Sequence, residues 1–225
     1  MGRLYDATWG RAFAHFYDRA LKATEENGLG EMRASLLAEA RGRVVEIGAG
    51  TGVNVGLYGS GVEDVTFVEP DPHMASRLRA RLAARDLPLS PTGRQRAKAP
   101  SRLVEASAQS LPFDDDSFDT AVATLVLCTI PDPVAAIAEL ARVLKPGGRL
   151  LFIEHVRSDD PHDALWQDRL EKPWRFMADG CYCNRDTEAT LRASAFTVEA
   201  VEHGRMPKAL PIVRPLIRGT AVLTG

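Results

Sequence analysis

Short runs of β-branched and other apolar residues alternate along the chain with longer stretches in which apolar residues recur every three or four positions. This alternation is typical of a mostly parallel sheet covered by helices, because buried parallel strands are apolar throughout and covering helices are apolar on one face. The pattern predicts seven strands, at residues 43–47, 64–69, 102–105, 120–127, 149–155, 196–202 and 218–223. Since 225 residues suffice for one large core, we expect a single doubly wound α/β domain.

Helices are predicted at about residues 13–40, 72–85, 133–144, 161–176 and 187–195. Asp71-Pro72 and Asp132-Pro133 mark two helix starts, because aspartate caps a helix and proline fits its first turn. The sequence KPGG at residues 145–148 ends the helix before it, since proline cannot continue the hydrogen-bond ladder and glycine accepts the left-handed turn.

Aromatic residues concentrate at the amino end of the chain. A face with spacings of three and four is formed by Tyr5, Trp9, Phe13, Phe16, Tyr17 and Leu21. A helix with this face packs on the core, covers a ligand pocket as a lid, or does both. We therefore expect an N-terminal helical lid over residues 1–40 and the main domain over residues 41–225, with Tyr17 as a ligand contact from the lid.

Charge and cysteine content limit the partners and the compartment. The chain has 28 basic and 30 acidic residues, so no overall field favours nucleic acid or an anionic membrane. The three cysteines, Cys128, Cys181 and Cys183, contain no CxxC pair, and we expect neither a disulfide framework nor a metal site. The longest apolar stretch is about half the roughly 20 residues that a membrane helix needs. These features predict a cytoplasmic protein without an integral membrane segment, and they leave the oligomeric state open.

The most informative motif is an apolar strand at 44–47 that leads into Gly48, Gly50 and Gly52. Glycine lets the backbone approach a ligand, and a helix expected after the loop would point its N–H groups at that ligand. The dinucleotide motif requires glycine where Val53 stands, so the spacing argues against NAD. About twenty residues later the next strand ends in Glu69, where a carboxylate accepts hydrogen bonds from ribose hydroxyls. The pattern indicates a nucleoside-containing ligand without a pyrophosphate.

Five motifs follow one another between residues 44 and 155: EIGAGTG at 46–52, VEPDPHM at 68–74, SAQSLPF at 107–113, SFDT at 117–120 and RVLKPGG at 142–148. Together they resemble the class I S-adenosylmethionine (SAM)-dependent methyltransferases, in particular the small-molecule group that includes ubiquinone and phospholipid methyltransferases. The resemblance implies a Rossmann-like fold, SAM as the cofactor and a small-molecule acceptor.

The resemblance also implies which residues hold each part of the cofactor. The methionine part falls to Glu46, Gly48, Gly50 and Gly52, the ribose to Glu69 with Pro70 beside it, and the adenine to Met74, Ala108 and Gln109, while Thr124 and Leu125 line the site. An aspartate commonly precedes the Ala108 position in the family, and Ser107 stands there in this chain.

Motifs in the carboxyl half of the chain narrow the resemblance to a smaller group. They are TLVLC at 124–128, FIEHV at 152–156, DGC at 179–181 and NRD at 184–186. With Trp166-Gln167 and Pro173-Trp174 they are similar to the methyltransferase-like alkyl-thiol S-methyltransferases. Those relatives carry a hydrophobic membrane anchor where this sequence has its aromatic helix, so membrane attachment is not expected here. Phospholipid N-methyltransferases share features of this tail, and a thiol, an amine or a hydroxyl therefore remain possible acceptors.

Methyl transfer from a sulfonium is an in-line displacement, so the enzyme mainly aligns two reactants and excludes water. A thiol is already partly ionised at neutral pH and needs no obligatory base, whereas an alcohol does. The candidate bases are His155, at the end of the fifth strand, and Asp179. Each also has an ordinary interpretation, as a histidine bonded to backbone and as an Asp-Gly turn.

The acceptor is expected beneath the aromatic helix and the segment 173–186, against an apolar lining of Trp166, Trp174 and Phe176. Two alternatives of other kinds stay open. A noncatalytic binding protein of the same fold would be expected to lose the glycine motif, which is intact here. A nicotinamide oxidoreductase is disfavoured by the glycine spacing.

Overall fold

A computed structural model describes residues 11–86 and 100–224. The chain forms one sheet, made of β1 (Gly42–Ile47), β2 (Val62–Val68), β3 (Ser101–Val104), β4 (Phe118–Thr124), β5 (Leu144–His155), β6 (Phe196–Arg205) and β7 (Pro215–Leu223). The strand order is β3-β2-β1-β4-β5-β7-β6, with β7 antiparallel to both of its neighbours and the other pairs parallel. All seven predicted strands and the Rossmann-like fold class are confirmed.

The order of the strands fixes where a ligand can bind. From β1 the chain moves outward through β2 and β3, and it then crosses back to place β4 on the other side of β1. Doubly wound sheets bind ligands in the crevice at such a reversal, outside the carboxyl ends of the strands. The glycine loop after β1 and the segment after β4 border this crevice.

The helices are α1 (Arg11–Thr24), α2 (Gly30–Leu37), α3 (Pro72–Asp86), α4 (Pro133–Val143), α5 (Pro161–Met177) and α6 (Thr187–Arg192), with a π-helical segment at Glu25–Leu29 and a 3-10 turn at Pro211–Val213. Aspartates cap several of them as predicted. The Asp132 carboxylate accepts the Ala135 N–H, and the Asp71 carboxylate accepts those of His73 and Met74. Among the described helices, none has the length and apolar content to cross a bilayer.

Two hydrophobic clusters pack on the opposite faces of the sheet. Neighbouring residues of β1 point to different clusters: Val44 packs with Leu37 and Phe67, and Val45 packs with Leu140 and Phe152. Burial on both faces explains why the central strands are continuous apolar runs and not alternating ones.

The N-terminal helix differs from the prediction of one helix over residues 13–40. The chain kinks at Asn27 and Gly28, where Gly28 has φ +133°, and α2 ends at Leu37. Tyr5, Trp9 and the Phe13 side chain lie outside the described part of the chain. Of the remaining aromatic face, Phe16 is 54% exposed while Tyr17 and Leu21 are half-buried. The kink arises because glycine alone accepts this backbone conformation readily.

The helix expected after the glycine loop does not form. Residues 51–57 make consecutive turns, in which the Gly52 N–H bonds to the Ala49 carbonyl and the Val55 N–H to the Gly52 carbonyl. Gly52 and Gly56 have φ of +83° and +96°, values that interrupt an α-helix. The prediction that a helix follows the loop and points its N–H groups at the ligand is therefore wrong.

Candidate active site

The glycine loop approaches the segment that follows β4. A Cβ atom added to Gly48, which has φ +57°, would lie 1.9 Å from the Val126 Cγ2 atom, so no other residue fits against this segment. Gly50, at φ +56°, would have no neighbour closer than 4.0 Å. The two glycines thus do different work: Gly48 allows close packing, and Gly50 leaves the loop backbone open toward the crevice.

Glu69 joins this loop to the end of β2. Its carboxylate is 6% exposed and accepts hydrogen bonds from the Gly50 N–H at 2.7 Å and the Asp71 N–H at 2.9 Å. Burial raises the pKa of Glu69 in spite of these two bonds. Each carboxylate oxygen can accept a further bond. Glu69 therefore keeps acceptor capacity at the end of β2 that a ribose diol could use, and its role as a ribose ligand stays a prediction.

Glu46 lies at the centre of a buried polar network beneath the glycine loop. The Tyr58 hydroxyl donates to one carboxylate oxygen, and the Asn54 amide donates to the other at 3.1 Å. The same amide also lies 3.0 Å from the Thr124 hydroxyl at the end of β4. Burial raises the pKa of Glu46 to about 7. A cationic ligand group placed here would restore the charged carboxylate, which fits the amino group of a methionine part.

Arg33 is a member of this network that the sequence analysis did not single out. Its side chain is 1% exposed, and it donates to the Thr124 hydroxyl at 2.7 Å, to the Asn54 amide oxygen at 3.3 Å and to the Glu25 carboxylate at 3.1 Å. A signal existed in the sequence, because Arg33 falls on the buried face that Leu29, Leu36 and Leu37 form. An arginine at such a position is rarely buried without partners.

The helix α1 contacts the cofactor side through Asp18. The Thr51 hydroxyl of the glycine loop donates to its carboxylate at 2.5 Å, and Arg81 on α3 donates at 2.9 Å. Burial raises the pKa of Tyr17, whose hydroxyl lies near Arg33, Cys128 and Cys181. The predicted contact Tyr17 therefore lies between the Glu46 network and the segment after β4.

The predicted adenine contacts lie at the start of α3 and in the loop after β3. Met74 and Ala108 are buried, at 7% and 6% exposure, and Gln109 is half-buried with its N–H on the Ser107 hydroxyl. Pro70 is exposed in the turn after β2. The Ser107 side chain is thus used within its own loop.

The segment after β4 is held by Glu154 of β5. Its carboxylate accepts the backbone N–H groups of Val126 at 3.0 Å, Leu127 at 2.9 Å and Cys128 at 3.4 Å. Leu125, predicted to line the cofactor, begins the segment with φ +57°. Glu154 is completely buried and committed to the backbone, so it positions this segment and does not face a substrate.

His155 and Asp179 are the two predicted catalytic residues; His155 ends β5, and Asp179 lies in the turn after α5. His155 is 4% exposed, and its Nε2 atom lies 2.9 Å from the Cys181 sulfur, so the ordinary interpretation of a backbone-bonded histidine does not apply. Asp179 has φ +48° in the turn before Gly180, and its charge contributes to the raised pKa of Glu69. Of the expected apolar lining, Trp174 donates its indole N–H to the Cys181 sulfur at 3.3 Å. Trp166 and Phe176 are 43% and 57% exposed and lie on the outer surface.

Four features together define a SAM-dependent methyltransferase: the open sheet, the glycine loop, the carboxylate placed for a ribose and the buried acidic network. A family model described as a methyltransferase domain matches residues 45–152. Thiol S-methyltransferase TMT1B of Rattus norvegicus is 36% identical over 182 residues, which cover 80% of this chain and 70% of that protein. Thiol S-methyltransferase TMT1A of Homo sapiens is 32% identical with the same coverage. The chain belongs to this methyltransferase family, and it methylates a small-molecule acceptor with SAM as its cofactor.

The fold is also shared with solved structures. A SAM-dependent methyltransferase from Thermotoga maritima superposes with a TM-score of 0.67 at 22% identity, covering 96% of this chain and 100% of that chain. At this identity the likeness supports the Rossmann-like architecture alone.

Proposed function

We propose that this protein transfers the methyl group of SAM to the sulfur of a small, apolar thiol. The observation that carries the proposal is the composition of the acceptor side. Within the described residues there, Glu154 is bound to three backbone N–H groups and His155 contacts a thiol, so no carboxylate–imidazole pair is arranged as a base. A thiol is the acceptor that needs such a pair least.

The chain's own residues perform alignment and exclusion of water. Glu69 and the open backbone at Gly50 hold the nucleoside part, and Glu46 with Asn54 and Arg33 holds the methionine part. SAM supplies an electrophilic methyl group on a sulfonium. The wall opposite the cofactor is soft and largely apolar, because it contains Cys128, Trp174 and Cys181. The acceptor would react as the thiolate, its proton released to solvent, and its sulfur would take the methyl carbon while the electron pair of the broken sulfonium bond stays on the cofactor's sulfur.

The thiol S-methyltransferases named above support this acceptor, since they match the chain through both its cofactor half and its acceptor half. Three free cysteines are compatible with a reducing compartment, and we propose a cytoplasmic enzyme that does not act on nucleic acid.

A second candidate is methylation of an amine. A phosphatidylethanolamine N-methyltransferase of Cereibacter sphaeroides is 32% identical over 118 residues, about half of each chain. In that case His155 or Asp179 takes the proton of the acceptor, and His155→Ala or Asp179→Asn abolishes turnover while SAM still binds.

An acceptor panel tests the proposal. Purified protein is given SAM with small alkyl thiols, phenols, amines or phosphatidylethanolamine vesicles, and S-adenosylhomocysteine is measured. We expect turnover with the thiols. Glu69→Ala removes the ribose ligand, and Glu63→Ala, an exposed carboxylate on the same strand, is its matched control. Turnover confined to amines or phenols would overturn the thiol assignment.

A further inference from the structure

Three metal-ligating side chains from separate parts of the chain meet on the acceptor side. Cys128 follows β4, His155 ends β5, and Cys181 follows α5. The Cys181 sulfur lies 2.9 Å from His155 Nε2 and 3.9 Å from the Cys128 sulfur, and all three ligand atoms lie within 4.8 Å of one another. The residues are 2%, 4% and 8% exposed in chain order. No metal site was expected from the sequence, because these residues form no CxxC pair.

The distances suit a tetrahedral ion. Zinc binds thiolate at about 2.3 Å and imidazole at about 2.0 to 2.1 Å, so ligand atoms on a tetrahedron stand roughly 3.5 to 3.8 Å apart. The two sulfurs are 3.9 Å apart, close to this separation, and His155 Nε2 would have to move about 0.6 Å farther from the Cys181 sulfur. The sulfurs are too far apart for a disulfide, whose bond length is about 2.05 Å, and both cysteines are free.

Neighbouring groups hold the two cysteines in place and donate a hydrogen bond to one of their sulfurs. The Trp174 indole N–H points at the Cys181 sulfur, which suits a thiolate better than a thiol. The Glu154 carboxylate fixes the backbone of Cys128. His155 Nδ1 is buried without a hydrogen-bond partner among the described residues, and Nε2 faces the Cys181 sulfur. An ion on Nε2 would replace this weak contact with a metal–ligand bond and would leave the ring proton on Nδ1.

We propose that Cys128, His155 and Cys181 bind one thiophilic divalent ion, for which Zn²⁺ is the probe, and that its open fourth position receives the acceptor sulfur. Three protein ligands with one open position are the arrangement of catalytic zinc, whereas structural zinc has four. Binding releases the two cysteine protons, and an acceptor thiol that binds as thiolate releases a third. The second half of this inference rests on the proposed function.

The three residues belong to segments that also approach the cofactor side. Val126, two residues before Cys128, packs against Gly48 of the cofactor loop, and Asp179, two residues before Cys181, acts electrostatically on Glu69. After methyl transfer the acceptor is a neutral thioether, which binds zinc more weakly than a thiolate, so product release follows from the same chemistry.

Cobalt absorption tests the site without any measurement of turnover. Reduced, chelator-treated full-length protein is titrated with Co²⁺ and then with Zn²⁺. We expect one equivalent to produce a thiolate-to-cobalt band and tetrahedral visible bands, which Zn²⁺ abolishes. Cys128→Ser and Cys181→Ser should each weaken binding at least about tenfold. The matched control is Cys183→Ser, since Cys183 is also buried but its sulfur contacts the Gln167 carbonyl.

The wild-type spectrum decides the outcome even where a variant fails to fold. Absence of a saturable thiolate-to-cobalt band overturns the site, as does a Cys183→Ser protein that loses binding as strongly as Cys181→Ser. Addition of a small alkyl thiol to the cobalt protein should shift the visible bands, and unchanged bands overturn the acceptor position. Thioether formed by metal-free protein contradicts this inference alone, whereas a cobalt-binding protein that methylates no thiol contradicts the proposed function.

Discussion

Glu69 and Glu46 are both buried carboxylates, but their surroundings give them different tasks. Glu69 accepts two backbone N–H groups and keeps acceptor capacity toward the crevice, while Glu46 is enclosed by the Tyr58 and Asn54 side chains. Glu69 could be singled out because it follows an apolar strand about twenty residues after the glycines, whereas the family resemblance alone implied a role for Glu46. Arg33 and Asn54 could not be paired from the sequence because their partners lie far away along the chain.

The Glu69→Ala substitution should weaken SAM binding by roughly 10- to 100-fold, because hydrogen bonds to a charged group contribute about 1.5 to 3 kcal/mol. Isothermal titration with SAM measures the change. The Glu63→Ala protein, altered at an exposed position of β2, should bind like wild type. Equal affinities for the Glu69→Ala and wild-type proteins would remove Glu69 from the cofactor site.

Glu46 should make the stability of the SAM-free protein depend on pH. Its pKa rises from 4.5 to about 7 on folding, so the native state holds its proton more tightly than the unfolded chain. The stabilisation is complete below pH 4.5 and is lost as the pH rises through 7, by at most about 3 kcal/mol. Urea unfolding of wild type and Glu46→Gln between pH 4.5 and 8 tests this. We expect the free energy of unfolding to depend less steeply on pH in Glu46→Gln than in wild type. Parallel plots of this free energy against pH would contradict the raised pKa of Glu46.

Among the secondary-structure elements, neighbouring segments hold the glycine loop in place, since no helix follows it. Sequence pattern could not reveal that residues 51–57 remain turns, because Gly52 and Gly56 adopt positive φ only in this context. Two contacts replace the missing helix. Asp18 joins α1 to Thr51, and the Glu69 carboxylate joins the loop to β2.

The Asp18→Ala substitution should loosen α1 from the glycine loop. Loss of the bonds from Thr51 and Arg81 should speed amide hydrogen exchange over residues 11–24 by roughly fivefold or more, while the sheet keeps its protection. The control is Arg19→Ala, at an exposed position of the same helix. Unchanged exchange in α1 would show that other contacts dock this helix.

Gln167 connects α5 to three distant segments. Its buried amide nitrogen lies within 3.0 Å of the carbonyl oxygens of Val156, Cys183 and Ile212, and its oxygen accepts the Ser158 N–H. We expect Gln167→Leu to lower the free energy of unfolding by about 2 to 4 kcal/mol, because buried backbone groups lose their partners. Lys172→Leu, exposed on the same helix, should change it little. Urea denaturation measures both, and equal effects would refute the special role of Gln167.

For the whole molecule, the sequence was a good guide to the fold, and it did not reveal which distant residues meet around His155. The strands and the cofactor motifs are continuous segments whose pattern is local. The acceptor wall combines Cys128, His155, Trp174 and Cys181 from three separate segments, and only the sheet order and the Glu154 contacts bring them together. Trp166 and Phe176 illustrate the limit, since their aromatic character suggested a lining and the fold turns them outward.

Transfer of a labelled methyl group tests the central claim most directly. The protein is incubated with SAM that carries a trideuterated methyl group and with 1-butanethiol, and the products are identified by mass spectrometry. We expect trideuteromethyl butyl sulfide in a one-to-one ratio with S-adenosylhomocysteine. The Glu69→Ala protein should form both products at a strongly reduced rate. S-adenosylhomocysteine without labelled sulfide, or label recovered only on an amine or hydroxyl acceptor, would contradict it.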